Sequence, residues 1–153
     1  MSTKVIDKEI VSYSIKKTEE LTLPAKPIIP EERPELLEGV TYKFKALEFA
    51  YYVTINDMVI DNEDGSKTYI PYEIFLNSKN VEHYHWIVCT MRIISLYFKA
   101  NGDIDKLISE LKETYDASGG YFKKGGGRMP SVVAELGFVL EKHTNRFKSG
   151  DKK

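Results

Sequence analysis

The chain predicts an α+β fold: a small antiparallel β-sheet, based on a hairpin and packed by about three α-helices. Three observations carry this. Residues 50–60 read Ala-Tyr-Tyr-Val-Thr-Ile-Asn-Asp-Met-Val-Ile, rich in the aromatic and β-branched side chains that strands favour. From residue 80 the apolar spacing changes to that of a helix. Strands therefore come first and helices follow, without the alternation that builds a parallel sheet.

The elements follow in order. Residues 1–32 form an N-terminal arm and strap. The arm mixes charges with Val5, Ile6, Ile10, Val11 and Ile15, and the strap holds Pro24, Pro27 and Pro30, with Pro34 just beyond. Proline removes backbone donors and favours extended chain, so the strap lies on a surface. The arm's apolar residues need a home, which a second copy of the chain can supply; a homo-oligomer is expected. The compact domain spans 33–147, and 148–153 is a charged, disordered tail.

Val40 to Phe44 alternates with lysines, as a strand does. Residues 61–66 are a turn cluster and Lys67 to Leu76 the return strand, where Pro71 implies an edge or a bulge. Val81, Tyr84, Val88, Met91 and Ser95 then recur at helical spacing. This predicts a mostly buried helix from about Asn80 to Ala100, capped by Ser78 or Asn80. Asn101-Gly102 ends it, with Gly102 left-handed. Asp103 caps a second helix carrying Ile104, Leu107, Ile108 and Leu111 and ending near Tyr115. Val132, Val133, Leu136, Val139 and Leu140 mark a third.

Composition narrows the function classes. The chain is 42% hydrophobic and 29% charged, enough for a core. Its net charge of −1 argues against general nucleic-acid binding. Cys89 is the single cysteine, so an intrachain disulfide and a cysteine metal cluster are excluded, which fits a reducing cytosol. No stretch approaches the roughly 20 apolar residues of a membrane span, and no signal-like run opens the sequence. A cytoplasmic protein is expected (host cytoplasm if viral).

The densest chemistry lies between Gly119 and Ser131: Gly-Gly-Tyr-Phe-Lys-Lys-Gly-Gly-Gly-Arg-Met-Pro-Ser. Pro130 suits the first turn of the helix that follows. Helix N-termini offer free N–H groups and partial positive charge, glycines allow close approach, and Lys and Arg add charge. This is the chemistry of an anion site, though not a Walker A loop.

A family resemblance rests on three blocks in order. They are Arg33-Pro34-Glu35-Leu36-Leu37-Glu38-Gly39-Val40-Thr41-Tyr42-Lys43; Tyr72 to Asn80 with Glu82-His83-Tyr84-His85-Trp86; and Gly119-Gly120 with Met129-Pro130-Ser131. Over roughly residues 33–145 the chain resembles the small-subunit and C-terminal domain of coenzyme B12-dependent (class II) ribonucleotide reductases, the TSCPD domain. The resemblance implies an accessory module, since in that family the barrel, cobalamin site and radical cysteine lie elsewhere. Those reductases also need a cysteine pair, which this chain lacks. Cys89, among Val88, Met91 and Ile94, reads as a buried, inert thiol.

No catalytic constellation, metal site or cofactor is expected. His83 and His85 are two apart and share no helix face, so they make a poor metal pair. Asp57 and residues 61–64 read as a solvated acidic turn. Trp86 and Tyr84 read either as core or as ring faces for a base.

The expected function is non-catalytic binding of a nucleotide-like, phosphate-bearing small molecule. Arg128, Lys123, Lys124, the Gly125, Gly126 and Gly127 backbone and Ser131 would hold phosphates, with Lys79 as a further contact. Asn77, Ser78, His83 and either Tyr121 or Phe122 would meet the base or ribose. Arg92, on an apolar helix, is either paired with an acid or turned toward a ligand or neighbouring subunit. Three settings fit: an accessory subunit docking a large reductase chain, a viral module sequestering a cyclic nucleotide or cyclic ADP-ribose immune signal, and a pure interaction adaptor.

Overall fold

The structure, a computed structural model, describes residues 29–30 and 32–148. The arm residues Val5, Ile6, Ile10, Val11 and Ile15, most of the strap and the tail beyond 148 lie outside the described residues.

Three antiparallel strands, β1 (Glu38–Ala46), β2 (Phe49–Asp61) and β3 (Lys67–Ser78), lie in the order β1-β2-β3. Helices α1 (Tyr84–Lys99) and α2 (Ile104–Glu113) follow. A two-residue ribbon, β4 (Tyr121–Phe122) with β5 (Arg128–Met129), precedes α3 (Val132–Lys148). This is the expected α+β arrangement.

The two-residue period of β2 sends Tyr51, Val53 and Ile55 to one buried face. There they meet Met91, Ile94 and Phe98 of α1, Ile108 and Leu111 of α2, and Ala134, Leu136 and Leu140 of α3. Phe44 stacks on Tyr51 across β1 and β2, with centroids 5.2 Å apart.

Pro71 sits as its chemistry requires. β3 is an edge strand, and its pairing jumps from Asn56↔Glu73 to Asp57↔Pro71, so Tyr72 is the extra residue of a bulge. On β2 the two-residue period runs on unbroken past Ile55, so Asp57 continues the buried face. It is 2% exposed, not part of the solvated turn that its acidic neighbours suggested. α1 runs along the β3 edge, and Ser95 Oγ accepts the Ile74 N–H at 3.0 Å.

α1 departs from expectation in four ways. It starts at Tyr84, and its N-cap is His83, left-handed at φ 61° without a side-chain cap. Ser78 Oγ instead accepts from Asn80 N–H, and Asn80 Oδ1 from Glu82 N–H, each closing a turn two residues on. The helix is mostly uncovered, because only the stripe of Met91, Ile94 and Phe98 is buried. Tyr84, Trp86, Ile93 and Leu96 are each more than half exposed, and Cys89 is exposed as well, not buried. At the C-terminus Asn101 takes the left-handed conformation assigned to Gly102, which Asn tolerates.

Asp103 does cap α2, its carboxylate accepting from Lys106 N–H. α2 and α3 then pack closely because Gly137 has no side chain; a Cβ there would lie 2.8 Å from Lys112 Cγ. Lys112 Nζ reaches both Glu141 oxygens at 3.0 Å across the same contact.

Candidate functional site

The glycine-rich segment folds as a tight ribbon. Lys123 N–H bonds Gly127 O at 2.7 Å, and Gly126 N–H bonds Lys123 O at 3.0 Å. Gly120 must be glycine: φ is 73°, and a Cβ would stand 2.2 Å from Met129 O. Tyr121 and Met129 point into the core, whereas Phe122 is 75% exposed and Lys124 is exposed.

Pro130 lies outside α3, not in its first turn. Ser131 is the capping residue: its Oγ accepts from Ala134 N–H at 2.9 Å and donates to Thr114 O at 2.7 Å. Glu135 follows in the first helical turn, where a carboxylate suits the dipole. It is buried, accepts from the Tyr121 hydroxyl, and pairs with Lys123 Nζ at 2.7 Å. Burial first, then the bond to Glu135 and its charge, push the Tyr121 phenol well above its usual range. Lys123 is thus paired with a carboxylate of the fold.

Arg128 has a different environment. Its Nε and Nη2 donate to Gly119 O at 3.2 and 2.7 Å, which fixes the guanidinium. With Tyr115, Asp116, Gly119 and Pro130 it lines an open cleft of about 400 Å³. The Tyr115 ring is 79% exposed. Asp116 accepts from Ser118 N–H and Oγ, which hold its carboxyl below the ordinary range.

The strand-to-helix junction forms a second group. Ser78 Oγ donates to Ala50 O; Asn77, Lys79 and His83 are exposed; His83 Nε2 lies 3.6 Å from Glu82 Oε1. The Tyr51 hydroxyl takes a bond from Asn80 Nδ2 at 3.1 Å, which ties this junction to the core that also holds Tyr121. Arg92 stands apart, exposed on a groove of about 560 Å³ between β3 and α1.

Sequence reasoning missed a buried cluster under the other half of α3. His143 is fully buried, with Nε2 at 2.9 Å from Asp57 Oδ1 and Nδ1 at 3.0 Å from the Tyr42 hydroxyl. The signal was present, because His143 continues the stripe of Leu136, Val139 and Leu140 at helical spacing. Tyr115 was missed as well; it had been read only as the end of α2.

Among the described residues no group of three or more His, Cys, Asp or Glu is placed to hold a metal. No described helix is long and apolar enough to cross a membrane.

A three-stranded sheet with helices packed on it and a capped glycine ribbon define a small α+β domain. Residues 24–144 match the TSCPD domain, and the chain belongs to that family, a ribonucleotide-reductase-associated domain. The chain matches no curated protein and no solved structure.

Proposed function

We propose that this protein is a non-catalytic binder of a nucleotide-like, phosphate-bearing small molecule, seated in the cleft beside the β4–β5 ribbon. The observation that carries the reading is the anchored guanidinium of Arg128 at that cleft, held through Nε and Nη2 on Gly119 O. A guanidinium fixed in this way loses little freedom when it meets a phosphate. Lys124 adds charge at the ribbon tip, and the Tyr115 ring offers a face on which a base stacks. Lys123 supports the ribbon through Glu135 rather than the ligand. Asn77, Lys79 and His83, exposed at the strand-to-helix junction, are the candidates for edge contacts to the ribose or base. A cyclic nucleotide or cyclic ADP-ribose satisfies the same chemistry.

The test is a calorimetric titration with ADP. Arg128→Ala is expected to weaken binding by about 1.5–3 kcal/mol, the range for a charged hydrogen bond. Equal affinity removes Arg128 from the site, and product found by chromatography after incubation refutes the non-catalytic reading.

A second reading, an accessory subunit docking on a larger reductase chain or on its own copies, is favoured by α1. Trp86, Ile93 and Leu96 form an uncovered apolar surface of the kind that marks interfaces. Light scattering on the full chain separates self-assembly from a monomer that awaits a partner.

A further inference from the structure

The buried Asp57–His143 pair leads outward to a surface with its own chemistry. A carboxylate only accepts, so His143 Nε2 donates to Asp57 Oδ1. In the neutral ring Nδ1 then accepts from the Tyr42 hydroxyl. The Tyr42 oxygen keeps its lone pairs, and Arg146, almost one turn beyond His143, lines the same cleft as Tyr42; burial raises the Tyr42 phenol and the Arg146 guanidinium opposes that rise. Lys142 stands with its Nζ 5.8 Å from the Tyr42 ring centroid. Lys142 and Arg146 are four residues apart and share a helix face. With Val40, Tyr42 and Asn145 they line a cleft of about 470 Å³.

The charges there are unbalanced. Arg33, Lys112 and Lys123 each meet a carboxylate. Among the described residues none lies within ion-pair distance of Lys142 or Arg146. Cations near a helix C-terminus complement its dipole. The dipole does not account for the chain that runs from buried Asp57 and His143 through half-buried Tyr42 to the cleft these two cations line.

We propose that this cleft is a second anion site, for the phosphate or diphosphate of a small molecule. Arg146 is its directional donor and Lys142 its point charge. Asp57, His143 and Tyr42 are positioning residues that set the Arg146 guanidinium. An anion between the two cations also removes their mutual repulsion along the helix.

The experiment titrates pyrophosphate into the ¹⁵N-labelled full chain and follows the arginine Nε–H signals. A saturable shift is expected at Arg146, with affinity falling about tenfold in Arg146→Ala and in Lys142→Ala. Tyr42→Phe keeps the ring beneath Lys142 and removes the hydroxyl. It should weaken binding about threefold and broaden the Arg146 signal while the remaining amide spectrum stays folded. Arg128→Ala should leave the Arg146 response intact. A response confined to Arg128, a shift that never saturates, or unchanged affinity in Arg146→Ala each overturns the second site. The first of these outcomes leaves the Arg128 cleft standing, and loss of the Arg128 response alone does the reverse.

Discussion

Two polar clusters hang on α3, and they dispose of charge in opposite ways. At the first turn, buried Glu135 takes the Tyr121 hydroxyl and Lys123, so a cation of the glycine ribbon is neutralised within the fold. In the other half, Asp57 is held by His143, and Lys142 and Arg146 line an open cleft with no carboxylate within ion-pair distance among the described residues. The charge a segment carries in sequence is therefore not the charge it offers a ligand. The ribbon looks richest in cations, yet one of its two lysines is paired with a buried carboxylate. The C-terminal half of α3 looks like an ordinary amphipathic face, yet among the described residues neither Lys142 nor Arg146 meets an acid.

The largest expected effect separates the clusters by burial. Asp57 and His143 are both at most 2% exposed, whereas the Lys123 side chain is 43% exposed and lets water reach its pair. Asp57→Ala leaves a buried imidazole N–H without a partner. We expect a loss of about 3 kcal/mol in denaturant unfolding, from a buried polar group left unsatisfied. A loss below about 1 kcal/mol would show that water enters there as easily as at the ribbon, and the contrast would collapse.

The ribbon cluster should reveal itself in alkali. The Tyr121 phenol is raised above its ordinary 10.0, by burial first and Glu135 second. A raised group contributes stability that is complete below its unfolded value and disappears as pH rises toward the folded one. Stability should therefore fall above pH 10, with a slope of up to about 1.4 kcal/mol per pH unit from this group. Tyr121→Phe should flatten that limb. Tyr42 is also raised, chiefly by burial, and retains part of the slope. An unchanged limb in Tyr121→Phe would mean that the Tyr121 phenol is not the group raised by folding.

These contrasts mark what was legible in the sequence. The β2–β3 hairpin was, because a two-residue period and a local turn cluster specify it. The Asp103 cap was, because capping acts over three residues. The start of α1 was not, since Ser78 and Asn80 bond their near neighbours instead. Periodicity told which side of α1 is apolar but not that Trp86, Ile93 and Leu96 would stay uncovered. The β4 and β5 strands are two residues long and have no period to detect. Within the site, the closeness of Arg128 to the glycines was local and readable. The Lys123–Glu135 and Asp57–His143 pairs depend on tertiary packing.

The smallest expected effect lies between these extremes, at Arg33 and Glu73. Arg33 makes three hydrogen bonds to the two Glu73 oxygens, and Asn56 Nδ2 adds a fourth at 2.8 Å. The Arg33 bond is the largest cause that holds the Glu73 carboxyl below its ordinary 4.5, with Asn56 assisting and burial opposing. A depressed carboxylate contributes stability that is present above the unfolded value and lost as pH falls through the folded one. The protein should therefore weaken below pH 4.5. Half of the Arg33 side chain is in solvent, so salt screens the pair and the effect is modest. Urea midpoints at about pH 5.5 and about pH 3.5 should differ more in the unaltered protein than in Arg33→Ala, and added salt should narrow the gap. Equal acid loss in both would place the sensitivity on other carboxylates and leave Arg33 as a tether that holds the chain before β1 against the sheet.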